Sequence, residues 1–237
     1  MSRRSLGRAG AETPALDEQS RARLEPVIEL LASDPLAPSA VTVPTDAWLV
    51  HVADSLSGLI FDELRSAQRI CDVGAGAGFP GFALAAARPH SSVVLVESVG
   101  RKCDFMERAI AAAGLANASV VRSRAETYAA APGAAASFDA VSARAVGRLS
   151  TLAELASPLL REQGVLIAWK GRRDPDEEAE LERASEQLAM RSEEVRWVGP
   201  YAGSKNRHLH LIRKFGPTPE GLPRRPGMAK KRPRGAS

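Results

Sequence analysis

Short apolar runs alternate with helix-like patterns along the chain from position 70 onward. The runs predict strands at 70–73, 92–97, 119–122, 138–143, 164–169, 194–198 and 207–213. Between them, apolar residues three and four positions apart predict helices at 79–87, 101–114, 149–160 and 175–190. This alternation is typical of a doubly wound, mostly parallel α/β sheet, and the last two strands, joined without a helix, are expected to pair antiparallel.

Two further helices are predicted before the sheet. The first begins near Leu16 and the second at Thr45, and apolar residues follow each start at helical spacing. On the second helix, His51, Asp54 and Ser55 gather on the face opposite the apolar stripe. Two interpretations of that polar face stay open, because it is either solvated surface or the wall of a substrate cleft.

A glycine-rich loop follows the first predicted strand. Behind Asp72, four glycines occur within eight positions, at Gly74, Gly76, Gly78 and Gly81. Glycine lets the backbone turn tightly and approach a ligand closely, and the first amides of the following helix are free to donate hydrogen bonds. The loop is therefore predicted to be a cofactor cradle.

Two cofactors fit this loop. The spacing Gly76-x-Gly78-x-x-Gly81 matches the dinucleotide fingerprint, and Glu97 lies at the distance expected of a ribose-binding acid. A carboxylate at Asp72 opposes a pyrophosphate but suits S-adenosylmethionine, which carries an ammonium and a sulfonium and no phosphate. The charge argument favours S-adenosylmethionine, and a nicotinamide dinucleotide remains the alternative.

Composition limits the class of protein. The two cysteines, Cys71 and Cys103, lack metal-ligand or redox spacing and are interpreted as reduced packing residues, so no metal site is predicted. No apolar run is long enough to span a membrane, and no secretory signal is recognisable, so a cytoplasmic protein is expected. The net charge of +4 is concentrated after position 215, where six basic residues face one acidic residue. Such a block is typical of an arm that contacts nucleic acid or of a solubilising end.

The loop sequence from Asp72 to Gly81 resembles that of the RsmG (GidB) family, which methylates guanine N7 in bacterial small-subunit ribosomal RNA. Other motifs occur in the family's order: His51-Val-Ala-Asp-Ser, Ser123-Arg-Ala-Glu, Ser142-Ala-Arg-Ala, Lys170-Gly, the closing 207–214 and the tail's Arg224-Arg-Pro-Gly. The resemblance covers about residues 16 to 230. One departure is Glu97, where aspartate is common in the family.

The resemblance implies a Rossmann-like, S-adenosylmethionine-dependent methyltransferase fold with an antiparallel final strand and N-terminal helices. The expected organisation is a disordered N-terminus at 1–15, a methyltransferase domain at 16–215 with a helical extension at 16–66, and a basic, proline-rich tail at 216–237. The cofactor contacts that it implies, with Asp72 and Glu97 added from the general methyltransferase pattern, are Asp72, Gly74, Phe79, Glu97, Ala125, Glu126 and Arg144. The candidate RNA contacts are His51, Lys170, Arg224 and Arg225.

The implied reaction is methylation of guanine N7, at the guanine-527 site in the usual numbering of 16S ribosomal RNA. The implied partner is that RNA, the small ribosomal subunit or an assembly intermediate, and a monomer is expected. N7 carries a lone pair and no proton, so no general base is assigned, and Asp54 is only a candidate for stabilising the cationic product. Two other classes stay open: an NAD-dependent oxidoreductase and a non-catalytic RNA-binding factor.

Overall fold

The computed structural model describes residues 16–236, and the expectation of disorder at 1–15 lies outside that part of the chain. Its sheet has the order β3-β2-β1-β4-β5-β7-β6. The strands are β1 (Arg69–Val73), β2 (Ser92–Glu97), β3 (Ala118–Arg122), β4 (Phe138–Arg144), β5 (Leu160–Lys170), β6 (Met190–Val198) and β7 (Arg207–Lys214). β1 to β5 pair in parallel, while β7 runs antiparallel to both β5 and β6. The predicted sheet, including its antiparallel closing pair, is confirmed.

Helices cover both faces of the sheet. They are α1 (Glu18–Ser33), α2 (Pro44–Ala47), α3 (Asp54–Leu56), α4 (Asp62–Ser66), α5 (Gly81–Ala87), α6 (Gly100–Ala113), α7 (Ala125–Ala129), α8 (Leu149–Ala156), α9 (Pro175–Leu188) and α10 (Met228–Lys231). One core layer joins the sheet to α1, α5 and α6, and the other joins it to α8 and α9. None of these helices is long and apolar enough to cross a membrane.

The first helix forms where the sequence indicates, since the Asp17 side chain caps it by accepting a hydrogen bond from Ser20 N at 2.7 Å. The second predicted helix is an irregular segment, in which a π-helical turn (Trp48–Ala53) and a 3₁₀ turn (Ser57–Ile60) flank α3. Asp54 is 5 % exposed and Ser55 is fully buried. The solvated-surface interpretation of this polar face is therefore wrong.

Three element boundaries differ from the prediction by four residues each. The α8 helix is predicted to reach position 160 but ends at Ala156, because Pro158 has no backbone N–H with which to continue the helical hydrogen bonds. The β5 and β6 strands begin four residues earlier than expected, at Leu160 and Met190. These extensions lie at the amino-terminal end of β5 and beside the second core layer, away from the edge that carries the glycine loop.

The basic segment after position 215 packs against the domain. Ala229 is 1 % exposed, and its carbonyl accepts a hydrogen bond from Thr151 Oγ1 at 3.2 Å. Further along, the carbonyl of Gly235 accepts from Arg183 Nε of α9 at 2.8 Å. The segment is a strap over α8 and α9, and we call residues 216–236 the tail strap.

Candidate functional site

Asp72 ties the glycine loop to the sheet. Its Oδ2 accepts a hydrogen bond from Gly81 N at 2.9 Å, and its Oδ1 accepts one from Ser142 Oγ at 2.9 Å. The carboxylate therefore joins the end of β1, the start of α5 and β4. Burial raises the pKa of Asp72 to about 6, and the two hydrogen bonds oppose that rise. With 1 % of its surface exposed, Asp72 lies beneath the loop.

Glu97, at the end of β2, fixes the rim of the same loop. Its Oε2 accepts from Gly76 N at 3.1 Å, and its Oε1 accepts from Ser98 N at 2.7 Å and Val99 N at 2.9 Å. Lys102 Nζ lies 3.7 Å from Oε2. The side chain is thus preorganised at the mouth of the cradle by neighbouring backbone and charge.

The glycine backbone fits the close approach of a ligand. At Gly76, with φ of +61°, a Cβ would meet nothing nearer than the Gly74 carbonyl at 3.8 Å, so bare backbone faces open space. At Gly78, with φ of +92°, a Cβ would overlap the ring of Phe82. The loop is therefore tightly packed on its inner side and open on its outer side, as a cofactor cradle requires.

His51 packs on the loop through an aromatic stack. Its ring lies parallel to that of Phe79, with centroids 5.1 Å apart and planes 13° apart. Burial lowers the pKa of His51 to about 4, and the charge of Arg144 adds to the effect. The imidazole is therefore neutral at pH 7. Its Nδ1 accepts from Arg144 Nη2 at 3.2 Å, and its Nε2 donates to Ser39 Oγ at 2.8 Å.

Asp54 gathers two arginines beside this stack. Its Oδ2 accepts from Arg144 Nη1 at 3.0 Å, and its Oδ1 lies 3.5 Å from Arg207 Nε. That Nε has no hydrogen-bond partner among the described residues, although it is buried. The backbone carbonyl of Asp54 accepts from Trp169 Nε1 at 2.8 Å. One residue of the N-terminal extension thus connects the ends of β4 and β5 to the start of β7.

A pocket of about 180 Å³ opens at this point. It lies at the carboxyl ends of the parallel strands, where ligands bind in open α/β sheets. Lys170 Nζ donates to Gly147 O at 3.0 Å and to Glu177 Oε1 at 3.1 Å, and it lies 2.8 Å from Glu177 Oε2. The polar and aromatic side chains that line the pocket are those of Asp54, Arg144, Trp169, Lys170, Arg207 and His208.

The tail strap carries the remaining candidates. Arg224 forms two parallel hydrogen bonds with Glu154, from Nε to Oε1 at 2.6 Å and from Nη2 to Oε2 at 2.5 Å. Gly227 N donates to Glu126 Oε1 at 2.7 Å. Arg225 is exposed. Neither arginine lines the pocket, so the structure does not bring them together with Arg144 and Lys170.

The sequence matches a family profile described as rRNA small subunit methyltransferase G over residues 39–209. The chain belongs to this family. It is 42 % identical over 194 residues to Ribosomal RNA small subunit methyltransferase G of Rubrobacter xylanophilus, covering 80 % of this chain and 74 % of that protein. The protein of the same name from Geobacillus sp. is 35 % identical over 225 residues, covering 92 % and 93 %.

Solved structures support the fold independently. A SAM dependent methyltransferase from Aquifex aeolicus aligns with a TM-score of 0.51 at 18 % identity, covering 80 % of this chain and 98 % of that one. The expected membership in the small subunit methyltransferase G family and the expected methyltransferase fold are both confirmed. Membership favours the S-adenosylmethionine interpretation of the glycine loop over the dinucleotide one.

The structure brings most of the expected site residues to one edge of the sheet. Gly74, Phe79 and Glu97 surround the loop with Asp72 below them, while His51, Asp54, Arg144 and Lys170 follow around the pocket. Ala125 and Glu126 begin α7 at the exit of β3. Their contacts with cofactor or RNA stay predictions for this family member.

Sequence reasoning missed three residues that this arrangement uses: Ser142, Trp169 and Arg207. Strand alternation offered a signal for Ser142, since it lies two residues before Arg144 and therefore on the same face of β4. Arg207 opens the last strand of the predicted sheet, but nothing local relates it to Asp54, which is far away in the chain.

Proposed function

We propose that this chain transfers the methyl group of S-adenosylmethionine to N7 of one guanine, the 527 site, in 16S ribosomal RNA. The observation that carries the proposal is the family match over residues 39–209, which includes both the glycine loop and the pocket. The two features meet at one edge of the sheet through β4, since Ser142 binds Asp72 and Arg144 binds Asp54. Because β4 joins the cofactor site to the acceptor site, the arrangement suits direct transfer of a methyl group from the cofactor to the RNA base.

The residues present fit S-adenosylmethionine. Glu97 would offer carboxylate oxygens to the ribose hydroxyls, the backbone of Gly74 and Gly76 would allow close approach, and Glu126 would contact the adenine. Asp72 adds a buried negative charge beneath the loop, towards the ammonium and sulfonium of the ligand. The cofactor supplies an electrophilic methyl group, and the protein orients the two reactants.

No general base is part of the proposal, because guanine N7 has a lone pair in the ring plane and no proton to lose. Holding N7 in line with the methyl–sulfur bond lowers the barrier, and orientation of this kind can contribute about 7–11 kcal/mol. Asp54 is a positioning residue here. Its charge is already offset by Arg144 and Arg207, so it has little left with which to stabilise a cationic purine.

We place the target guanine in the pocket between β4, β5 and β7. Its N7 edge must face the methyl group, and the side chains of Arg207 and Lys170, which line the pocket, are the cations nearest to its O6 or to a neighbouring phosphate. The major groove of A-form RNA is too deep and narrow for side chains to enter. The guanine is therefore presented by a loop or an open element of the RNA.

An exposed surface beside the pocket suits the RNA strand around the target. Trp197 is 53 % exposed and lies opposite His208, a pocket residue, in the β6–β7 pairing. Arg172 and Lys205 are exposed on the two loops that border the pocket. An aromatic platform for base stacking with cations for phosphates is the usual composition of a surface that binds single-stranded RNA. His51, neutral and packed inside, positions the loop in this proposal and contacts no phosphate.

The proposed partner is the small ribosomal subunit or an assembly intermediate, met in the cytoplasm by a monomeric enzyme. The test incubates the protein with labelled S-adenosylmethionine and small subunits from cells that lack the modification. Chemical cleavage at N7-methylguanine then maps the label. We expect one labelled guanine, and the absence of label in subunits and in naked 16S RNA alike would overturn the proposal.

A further inference from the structure

We propose that Arg224 is a positioning residue for the cofactor. By binding the buried Glu154, it holds the tail strap in the place where the amide of Gly227 fixes the carboxylate of Glu126. The inference rests on the proposed function, because the adenine contact of Glu126 is part of that proposal. It gives the tail arginine a task other than the RNA contact expected from its charge.

The anchor of the strap is a buried ion pair. Glu154 lies in α8 with 3 % of its side chain exposed, and Arg224 has 19 %. Among the described residues, Arg224 supplies the only ion pair of Glu154. A buried carboxylate without its partner is costly, so α8 strongly favours the docked strap. The Nη2 of Arg224 also donates to Arg232 O at 2.8 Å, which holds the two ends of this part of the strap together.

A short path leads from this anchor to the cofactor site. Gly227 lies three residues after Arg224 and adopts φ of +83°, with no atom within 4 Å of the position of a Cβ. This turn aims its N–H at Glu126 Oε1, 2.7 Å away. Glu126 is in the first turn of α7, directly after β3, which pairs with the strand that ends in Glu97.

The carboxylate of Glu126 is hydrogen-bonded through one of its two oxygens. Its Oε1 accepts from Gly227, whereas its Oε2 makes no hydrogen bond with any residue in 16–236. A carboxylate fixed through one oxygen presents the other in a defined direction, and in this proposal that second oxygen would accept from the exocyclic amine of the adenine. Without the strap, the side chain would rotate freely and lose part of its binding energy to conformational entropy.

Arg224 is poorly placed to bind RNA at the same time. Two of its three guanidinium nitrogens are used by Glu154 and Arg232, and the hydrogen bond with Glu154 raises its pKa further. Its positive charge is therefore neutralised by Glu154 within the protein. A loss of cofactor affinity without a loss of RNA affinity is the signature that separates this role from an RNA contact.

The test compares Arg224→Ala with Lys230→Ala, which removes one exposed cation from the same strap. We expect Arg224→Ala to raise the Kd for S-adenosylhomocysteine, measured by calorimetry, and the KM for S-adenosylmethionine by about tenfold. The kcat at saturating cofactor and the KM for small subunits stay unchanged, and Lys230→Ala changes none of these values. An unchanged Kd in Arg224→Ala would overturn the inference.

A double-mutant cycle separates positioning from general support of the fold. In a Glu126→Ala background, Arg224→Ala has no further effect on the Kd for S-adenosylhomocysteine, because the side chain it positions is gone. Equal effects of Arg224→Ala in both backgrounds would instead mean that the strap supports the domain without reaching the cofactor. Partial recovery of the Kd in Arg224→Lys is also expected, since one hydrogen bond to Glu154 persists.

Reciprocity gives a test on the wild-type chain, which stands even where Arg224→Ala fails to fold. Coupling between the strap and the cofactor acts in both directions, so saturating S-adenosylhomocysteine should slow trypsin cleavage at Lys230 and Lys231 by about tenfold. Tight binding without protection of the strap would overturn the inference alone. Failure of the wild-type chain to bind S-adenosylhomocysteine at all would overturn the proposed cofactor, and the inference with it.

Discussion

Two arginine–carboxylate pairs of similar chemistry have opposite surroundings in this molecule. Arg144 and Asp54 pair at 3.0 Å beside the pocket, where Arg207 Nε also lies 3.5 Å from the same carboxylate. Arg224 and Glu154 pair through two parallel hydrogen bonds beneath the tail strap, and no second arginine of the described chain joins them. The Arg144–Asp54 pair lines the pocket, whereas the Arg224–Glu154 pair fastens the tail strap to α8.

The difference shows that the charge of a residue says little about its availability. In both pairs the carboxylate is buried, at 5 % exposure for Asp54 and 3 % for Glu154. The two sites differ in charge balance. At the pocket two guanidinium groups lie beside one carboxylate, whereas at the strap one guanidinium group pairs with one carboxylate. Only an unbalanced cluster keeps positive charge to offer a nucleic acid, so an arginine count overstates the RNA-binding part of the tail.

The largest expected effect comes from breaking the pocket pair. Arg144→Ala removes the contacts to Asp54, Val50 and His51 that orient the pocket wall against the glycine loop. We expect single-turnover methylation of small subunits to fall about 100-fold or more, as for the loss of a preorganised active-site donor. The matched control is Arg161→Ala, which breaks the 2.6 Å pair with Asp139 near the start of β5. A rate within threefold of wild type in both variants would contradict the positioning role.

The fold was predictable because its signals are local. Strand-length apolar runs and the glycine loop are contiguous in sequence, and the order of strands and helices restricts the sheet to few topologies. The two arginine–carboxylate pairs were not predictable, because their partners are far apart in sequence. Asp54 lies 90 residues from Arg144, and Glu154 lies 70 residues from Arg224. The resemblance placed His51 and Arg144 in a site. It could not reveal that burial leaves His51 neutral or that the strap occupies Arg224.

A second expected effect contrasts the packing of the two regions. Gly78 and Gly227 both have positive φ, but a Cβ would overlap the ring of Phe82 only at Gly78. We expect Gly227→Ala to cost about 1 kcal/mol of unfolding free energy from backbone strain. Gly78→Ala costs a further ~1–3 kcal/mol for overpacking. Urea unfolding of the two variants measures the gap, and equal losses would mean that the loop is as loosely packed as the strap.

A third effect depends on pH and belongs to the loop alone. The folded protein holds the pKa of Asp72 at about 6, above its ordinary value, because burial disfavours the charged carboxylate. A cationic ligand prefers the ionised form, so the affinity for S-adenosylhomocysteine, which keeps the ammonium, falls as the pH drops below 6. The limit is about tenfold per pH unit for one linked proton. His51, with a pKa of about 4, does not titrate in this window.

The control for this pH dependence is Asp72→Asn, which keeps an acceptor for Gly81 and a donor for Ser142. Calorimetric titrations of this variant between pH 5 and 7 should give a flat and weaker affinity. A decline in the variant equal to that of the wild-type chain would assign the titration to another group. The tail pair predicts no such dependence, because the hydrogen bond with Glu154 raises the pKa of Arg224, which stays charged throughout.

The smallest effect concerns the two neighbouring arginines of the strap. Arg225 is exposed, whereas Arg224 is held by Glu154, so only Arg225 has charge to offer a phosphate. We expect Arg225→Ala to weaken binding to 16S RNA a few-fold and to reduce the slope of log affinity against log salt by about 1. Arg224→Ala leaves that slope unchanged, because the contact it loses lies within the protein. Filter-binding titrations across a salt series measure both slopes, and an equal reduction in the two variants would show that the strap releases Arg224 to the RNA.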